Sequence, residues 1–496
     1  MKTLSIFFSF IAFITGLDSA TSSSMGLLVY PRLLEERGSD GGRVLKINED
    51  ITLNLKKSSV LGEEFLLKSY VGDVEKHTYM DGSYLEEDLF HDADVMASLT
   101  LSNNGELQVE GMIGSKLRIM PVPEQERSSE GHVAHMLYEI PDAHFGLRDD
   151  AVHPPGNYFN VSERAVNVND IYNARIIYPE FFVLVDTAFF EQFKRDEMKL
   201  IKYVCRSVNA MNLRYLSVSR PEVEFKLMGI EILTTAKERF LRRVQGQPHY
   251  IYGPETLAAL REFVKTNAAA YKSYDLVYLI TGNNILGDTN YKDKKHKNRS
   301  GRYAYIAGAC SELKVGLGED TANTFRGVHI MTHEVGHIMG CPHDGDYDRS
   351  RLQGQGSTSC PFSEGYIMSY YVINLNYYKF SWCCNNQISS MSWSQLGRCL
   401  HEKNSKSTLK KSSSKLPGEG RTKTGQCKRG YPRMTGTYYM KDMPIVDCEM
   451  YCFNPRSRSV QEGHFKLKLT DGTKCGNHSK VCINGECRRR QHSYRT

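Results

Sequence analysis

His333-Glu334-Val335-Gly336-His337-Ile338-Met339-Gly340-Cys341-Pro342-His343 is the stretch on which the reading of this chain turns. Two histidines four apart lie one above the other on a helix face, so both imidazoles can reach one ion. Glu334 lies beside the first, where it can hold water at the metal. Gly340 ends the helix, because glycine turns the backbone sharply at little steric cost. The turn then brings His343 back as a third ligand. Three histidines plus one open position describe a tetrahedral catalytic zinc site. At average composition the full eleven-residue pattern arises by chance in roughly one long chain in 10⁴ or fewer.

The rest of the composition suits a protein that works outside the cell. The 496 residues exceed one ordinary core, so two or three domains are expected. Thirteen cysteines point to an oxidising compartment. Lys2, the apolar run Leu4 to Ile14 and the small residues around Gly16 to Ala20 read as a signal peptide over residues 1–20. No later stretch reaches the length of a transmembrane helix, so no membrane span is expected. Glycosylation sequons begin at Asn160, Asn298 and Asn477. Charge is unevenly spread: residues 403–496 carry 21 basic and 7 acidic side chains, net +14, which leaves −8 on the first 402. Such a tail can concentrate the chain on heparin, other sulfated glycans or matrix, or can simply be a solvated linker and module. No nucleic-acid partner is expected.

From about residue 21 to 170 the chain is free of cysteine and rich in strand signals. Ile51, Leu53 and Leu55 alternate with polar residues, and Leu99 and Leu101 are mirrored by Leu107 and Val109 across Asn104-Gly105, a hairpin signal. From about Arg175 the pattern becomes α/β. Phe181 to Val185 and Leu276 to Ile280 read as strands buried on both faces. One helix is expected through Phe189, Phe190, Phe193, Leu200, Ile201 and Val204. Val223, Phe225 and Leu227 alternate as a strand, and Pro254 opens a further helix. The helix bearing the motif is expected from about Thr321 to Met339. Residues 403–424 are a Ser/Lys-rich linker. Six cysteines follow between 427 and 487, enough for three bridges in a module too small for a large core.

The motif is the metzincin signature. With Asp344 after the third histidine, it resembles the reprolysin (adamalysin, ADAM-like) branch. Tyr366-Ile367-Met368-Ser369-Tyr370 supplies the Met-turn of that family. Val29-Tyr30-Pro31-Arg32 and Val44-Leu45-Lys46-Ile47 resemble the start of reprolysin propeptides, especially those of tick salivary metalloproteases. Asp471 to Gly476 and Lys480 to Cys487 resemble the ends of ADAM and ADAMTS cysteine-rich modules. The fold expected is therefore multidomain. It comprises a β-rich prodomain over 21–170, an α/β metzincin zinc-protease domain over 171–402 with a mixed sheet plus active-site helix, the linker 403–424, and a small disulfide-rich C-terminal domain over 425–496. The alternative for 21–170 is a binding domain kept in the mature protein.

The resemblance also carries finer expectations. His333, His337 and His343 hold zinc, Glu334 is the general base, and Met368 makes the floor of the site. Ala304 to Gly308 is the edge strand that pairs with extended substrate. Cys310 pairs with Cys399 and Cys360 with Cys383, which leaves Cys341 for Cys384 and Cys205 odd. Calcium would be held by Glu180, Asp275 and the carbonyl of Cys399, with Glu402 or Asn404 where the family has an asparagine. Two departures stand out. No cysteine precedes Cys205, so the thiolate that silences the zinc in many relatives is absent; Asp142, His144, Asp149 and Asp150 lie where a substitute might be sought, and nothing singles one out. Tyr370 stands where astacins and serralysins, sister branches, carry a tyrosine that reaches the zinc. The function expected is a secreted zinc metalloendopeptidase, made as a zymogen and acting on extracellular proteins such as host fibrinogen, fibrin or matrix. The alternative is a secreted binding protein that works through its cysteine-rich tail; the intact Glu334 and histidines speak against it.

Overall fold

The structure, a computed structural model, describes residues 26–35, 42–71, 74–103, 105–141, 150–153, 174–287, 301–347, 352, 356–369, 371, 374–402, 422–430, 436–446, 448–455, 463–469, 473–476, 479–483 and 486–489. The leader, the residues around the sequons, and Asp142, His144, Asp149, Tyr370 and Asn404 lie outside the described residues.

The N-terminal region supplies strands β1 (Leu27–Val29), β2 (Arg32–Glu35), β3 (Arg43–Lys46), β4 (Thr52–Lys57), β5 (Leu61–Val71), β6 (Val74–Asp81), β7 (Leu89–Asp92), β8 (Ala97–Asn103), β9 (Leu107–Ile113), β10 (Leu117–Pro121) and β11 (His135–Glu139). Nine of them form one sheet in the order β1-β11-β10-β9-β8-β7-β4-β3-β2, paired antiparallel throughout. The hairpin expected across residues 104 and 105 is β8–β9, with Leu101 opposite Val109. Period-2 alternation turns Leu45, Leu53, Leu55, Leu99 and Val109 onto one face, where they form a core of their own.

The remaining two, β5 and β6, leave that sheet and join another. Its order is β12-β21-β22-β19-β14-β16-β5-β6, with β12 (Ala151–Val152), β14 (Glu180–Val185), β16 (Lys226–Ile232), β19 (Leu276–Thr281), β21 (Arg302–Tyr305) and β22 (Val315–Glu319). Pairing is parallel from β5 through β22 and antiparallel at β5–β6 and β21–β22. The two continuous apolar runs of the sequence are its central strands β14 and β19, buried at every position. Short strands flank it: β13 (Ile176–Ile177) pairs with β15 (Glu222–Val223), and β17 (Arg243–Val244), β18 (Gln247–Tyr252) and β20 (Asn284–Leu286) form a small sheet. Both outer ends of the mixed sheet are thus made by residues that precede position 153.

Three local expectations need correction. The helix after β14 is two helices, Thr187–Glu191 and Glu197–Tyr215. Lys194 and Arg195 adopt positive φ (54° and 58°) between them, and Asp196 caps the second by accepting from Lys199 N at 3.0 Å. The active-site helix starts at Gly327, later than the sequence pattern suggests, and ends at Ile338. Asn323 and Phe325 turn the chain with φ of 65° and 52°, and buried Asp320 accepts from Gly327 N at 2.9 Å to anchor the start. The edge strand stops at Tyr305, because Ala307 has φ 53° and donates its N–H to His337 O instead.

The cysteines pair as expected: Cys310–Cys399, Cys341–Cys384 and Cys360–Cys383, with Cys205 a buried free thiol. At the C-terminus Cys427–Cys452, Cys448–Cys482 and Cys475–Cys487 knit β23 (Tyr438–Tyr439), β24 (Glu449–Asn454), β25 (Gly463–Lys468), β26 (Lys480–Ile483) and β27 (Glu486–Arg489) around a core of cysteines with Met450, Leu467 and Leu469. Among the described residues, no helix is long and apolar enough to cross a membrane.

Candidate metal centre

The active-site helix packs under β21 and β22 with its ligand face turned inwards; His333, Glu334 and His337 are all fully buried. One helical turn sets His337 Nε2 3.1 Å from His333 Nε2. Gly340 (φ 112°) then reverses the chain, and a Cβ there would lie 2.8 Å from Leu352 Cδ1. The Cys341–Cys384 bridge pins the turn. His343 Nε2 arrives 3.3 Å from His333 Nε2.

Each ring's other nitrogen is held from behind. His333 Nδ1 donates to Ile367 O at 2.7 Å, and His337 Nδ1 donates to Cys341 O at 2.7 Å. His343 Nδ1 faces Asp346 Oδ2 at 3.5 Å. The two carbonyls assign the Nδ1–H tautomer to His333 and His337, and the Nε2 atoms of all three rings are aimed at one point. Lone pairs that close repel unless a cation lies between them. Zinc–nitrogen bonds of about 2.0–2.1 Å at tetrahedral angles put neighbouring nitrogens about 3.3 Å apart, which matches the set. Burial lowers the basicity of His333 and His337, keeping both neutral, the form a metal requires. The donor set therefore fits a tetrahedral metal ion.

Ile367 and Met368 form the turn beneath. Met368 is fully buried, and a Cβ on Gly336 would lie 2.9 Å from its Sδ, so the turn seats against the helix between the two ligands. Asp344 N donates to Met368 O at 3.0 Å, and the Asp344 carboxylate accepts from Ser381 Oγ at 2.5 Å. The segment carrying His343, the Met-turn and the helix from Trp382 to Trp393 are tied together in this way.

Glu334 points into the same space, and neither of its carboxylate oxygens has a hydrogen-bond partner. Burial, then the charge of Asp150, pushes its carboxyl well above the usual carboxylate range. Arg302 of β21 brings its Nε to 3.3 Å from Glu334 Oε1.

A fourth side chain completes the cluster. Asp150 Oδ1 lies 2.7 Å from His343 Nε2, 3.5 Å from His337 Nε2 and 3.6 Å from His333 Nε2. Its Oδ2 accepts from Arg302 Nε. Burial opposes a charge on Asp150, but Arg302, then His333 and His343, hold it well below the usual carboxylate range. Asp150 and Arg302 are the residues the sequence did not single out. No spacing rule links position 150 to 333, and Arg302 lies just before the Ala304–Gly308 stretch, which only resemblance marks as an edge strand.

Glu180 and Asp275, the residues expected to hold calcium, are buried neighbours at the start of β14 and immediately before β19, and Glu180 N donates to Asp275 Oδ2 at 2.9 Å. The Asp275 carboxylate lies beside the Cys310–Cys399 bridge, which puts position 399 next to it.

Comparison with known proteins agrees with this chemistry. Residues 180–381 match the family described as metallo-peptidase family M12, reprolysin type, and all three histidines and Glu334 fall inside that span. An antarease-like venom metalloproteinase of Tityus trivittatus is 26% identical over 402 residues, covering 79% of this chain and 97% of that one. A venom metalloproteinase of Olivierus martensii is 25% identical over 386 residues, 76% and 92% of the two chains. A protein of Bombyx mori described as like a disintegrin and metalloproteinase with thrombospondin motifs is 24% identical over 463 residues, 81% and 64%. The match over residues 180–381 and these relatives support a reprolysin-type metzincin domain there, and the chain that carries it is a metalloendopeptidase.

Proposed function

We propose that this chain is a secreted zinc endopeptidase made as a zymogen, with residues 1–20 as leader, 21–170 as prodomain, 171–402 as catalytic domain, 403–424 as linker and 425–496 as a cysteine-rich domain. The observation that carries the reading is the convergence of three Nε2 atoms beside a buried carboxylate that has no hydrogen-bond partner.

His333, His337 and His343 would hold the zinc. When bound, zinc supplies a Lewis acid that acidifies water and polarises a peptide carbonyl. Glu334 is the general base: it takes the proton of water held in the site and passes it to the leaving amine. Neither of its oxygens is hydrogen-bonded, which leaves them able to take up that proton. The outer N–H and C=O groups of β21 hold an extended substrate by backbone pairing. Met368 and Ile367 keep the floor dry and aim His333. Glu180, Asp275 and the carbonyl of Cys399 supply oxygen donors suited to calcium.

The relatives whose names mention venom suggest secretion and extracellular protein substrates. The net +14 of residues 403–496 suggests retention on sulfated glycans or matrix. The test is direct. Purified, processed protein should cleave gelatin or fibrinogen, lose that activity with a zinc chelator and regain it with zinc. Cleavage that survives complete removal of metal would overturn the reading.

A further inference from the structure

We propose that Asp150 is an inhibitory fourth metal ligand, clamped by Arg302, and that β12 at the same time blocks the substrate-binding edge; the proposal rests on the zinc reading of the three histidines. Three independent features converge on residues 150–152.

The first is the position of the carboxylate. Asp150 Oδ1 stands within 3.6 Å of all three Nε2 atoms, closest to His343 at 2.7 Å. That is where a tetrahedral site receives its fourth ligand, and in a working protease that position belongs to water or substrate. Asp150 and Arg302 are both buried. A buried carboxylate that faces three imidazoles and one guanidinium is built into the site.

The second is Arg302. It accounts for both acids at once, with Nε bonded to Asp150 Oδ2 and 3.3 Å from Glu334 Oε1. While Asp150 is seated, Glu334 shares its space with an arginine and a second carboxylate, and the water it would deprotonate has no place. The ligand and the base are silenced by one ion-paired group.

The third is the backbone. Ala304 N donates to Asp150 O at 3.2 Å and Ile306 N donates to Val152 O at 3.1 Å. β12 lies parallel to β21, with Ala151 opposite Ala304 and Val152 opposite Tyr305. These outward N–H groups are the ones an extended substrate needs. The chain therefore fills its own cleft with the residues that also bring Asp150 to the metal, and it needs no cysteine thiolate to do so.

The experiment uses the full, uncut chain loaded with one zinc or one cobalt(II), and a peptidyl hydroxamate as a metal-directed probe. In wild type the probe must displace an intramolecular ligand, so its apparent Kd is expected to be about 100-fold or more weaker than in Asp150→Ala. The visible spectrum of the cobalt(II) form should also change on that substitution, because a carboxylate leaves the coordination sphere. Asp150→Ala strands a buried guanidinium and can fail to fold. The pair Asp150→Ala with Arg302→Met removes both charges together and should show the same gain in probe affinity. Equal probe affinity and an unchanged cobalt spectrum, with one metal per chain throughout, would overturn the role of Asp150 and leave the metal centre standing. Failure of every form to take up metal would overturn both.

Discussion

Arg206 lies at the contact between the N-terminal sheet and the long helix Glu197–Tyr215, and replacing it with methionine should loosen that contact measurably. Its Nη1 donates to Thr100 Oγ1 at 2.7 Å and its Nη2 to Glu110 Oε1 at 2.6 Å. A charged hydrogen bond to a buried hydroxyl is worth about 1.5–3 kcal/mol. The Glu110 side chain is 40% exposed, so solvent screening holds that pair to about 1 kcal/mol or less. The guanidinium also lies 5.6 Å from the Phe325 ring centroid, worth about 0.5–1 kcal/mol. Against these, Nε is buried with no partner, and removing it recovers about 1 kcal/mol or more of desolvation. The net loss is about 2–3 kcal/mol. Methionine keeps most of the apolar stem, and Asn209 Nδ2 still donates to Ser98 Oγ at 2.9 Å, so the contact weakens without separating. Hydrogen–deuterium exchange across Ala97–Asn103 and Leu107–Ile113 reads this as local opening, and amides there should exchange roughly 30- to 150-fold faster than in wild type. Exchange within threefold of wild type would refute the argument that this buried cation fastens the N-terminal sheet to the catalytic domain.

Other outcomes follow from single residues. Glu334→Gln should abolish peptide cleavage by processed enzyme while metal content stays near one per chain, measured by atomic absorption; full activity would remove the glutamate from the mechanism. His135 gives the N-terminal sheet an acid sensitivity. Its Nε2 accepts from Val109 N at 2.9 Å while Nδ1 donates to Val133 O at 2.9 Å, so only the neutral ring satisfies both. Burial holds its pKa below the usual histidine value. The unfolded chain then binds more protons in acid, and this contribution to stability is whole above about pH 6.5 and lost as pH falls below it. His135→Gln, whose amide oxygen also accepts, should show a flatter decline between pH 7 and 5 in chemical denaturation, and an equal decline in both would count against the assignment. A chain ending at Glu402 should leave heparin at much lower salt than the full chain, because it lacks the tail of net +14; elution at the same salt would argue that the tail is only solvated.

What the sequence made legible was what local spacing or strong burial encodes. The ligand offsets in His333, His337 and His343 follow from helix geometry and a glycine turn, so the centre could be drawn before any fold was known. The runs Phe181–Val185 and Leu276–Ile280 could only be central strands. The three cysteine pairs of the catalytic domain followed from resemblance rather than from the residues, and the structure bears them out. The misses have a common cause. The late start of the active-site helix depends on Asp320 accepting from Gly327 N, and the break at Lys194 and Arg195 depends on left-handed backbone at residues with no special propensity for it. Asp150 and Arg302 join the histidine cluster through strand pairing between positions about 150 residues apart, which no window along the chain can register. The same holds for β5 and β6, whose membership of the mixed sheet is invisible from their own alternation.

That membership bears on solubility. β5 and β6 cover the side of β16, and β12 covers the side of β21, so the mixed sheet offers solvent neither of its long edges from residue 180 onwards. Stripping away everything before residue 153 would bare both. The edge at β21 has a use, since extended chains are what a peptidase binds. The edge at β16 has none: seven residues, Lys226–Ile232, six of them buried, paired with the strand that carries buried Leu67, would present a row of open N–H and C=O groups to any passing strand. No disulfide ties the hairpin down, because every bridge lies at or beyond Cys310. On the proposed zymogen reading, a mature enzyme has reason to keep β5 and β6 docked, as a noncovalent guard against strand-to-strand aggregation, when the segment around Asp150 is released.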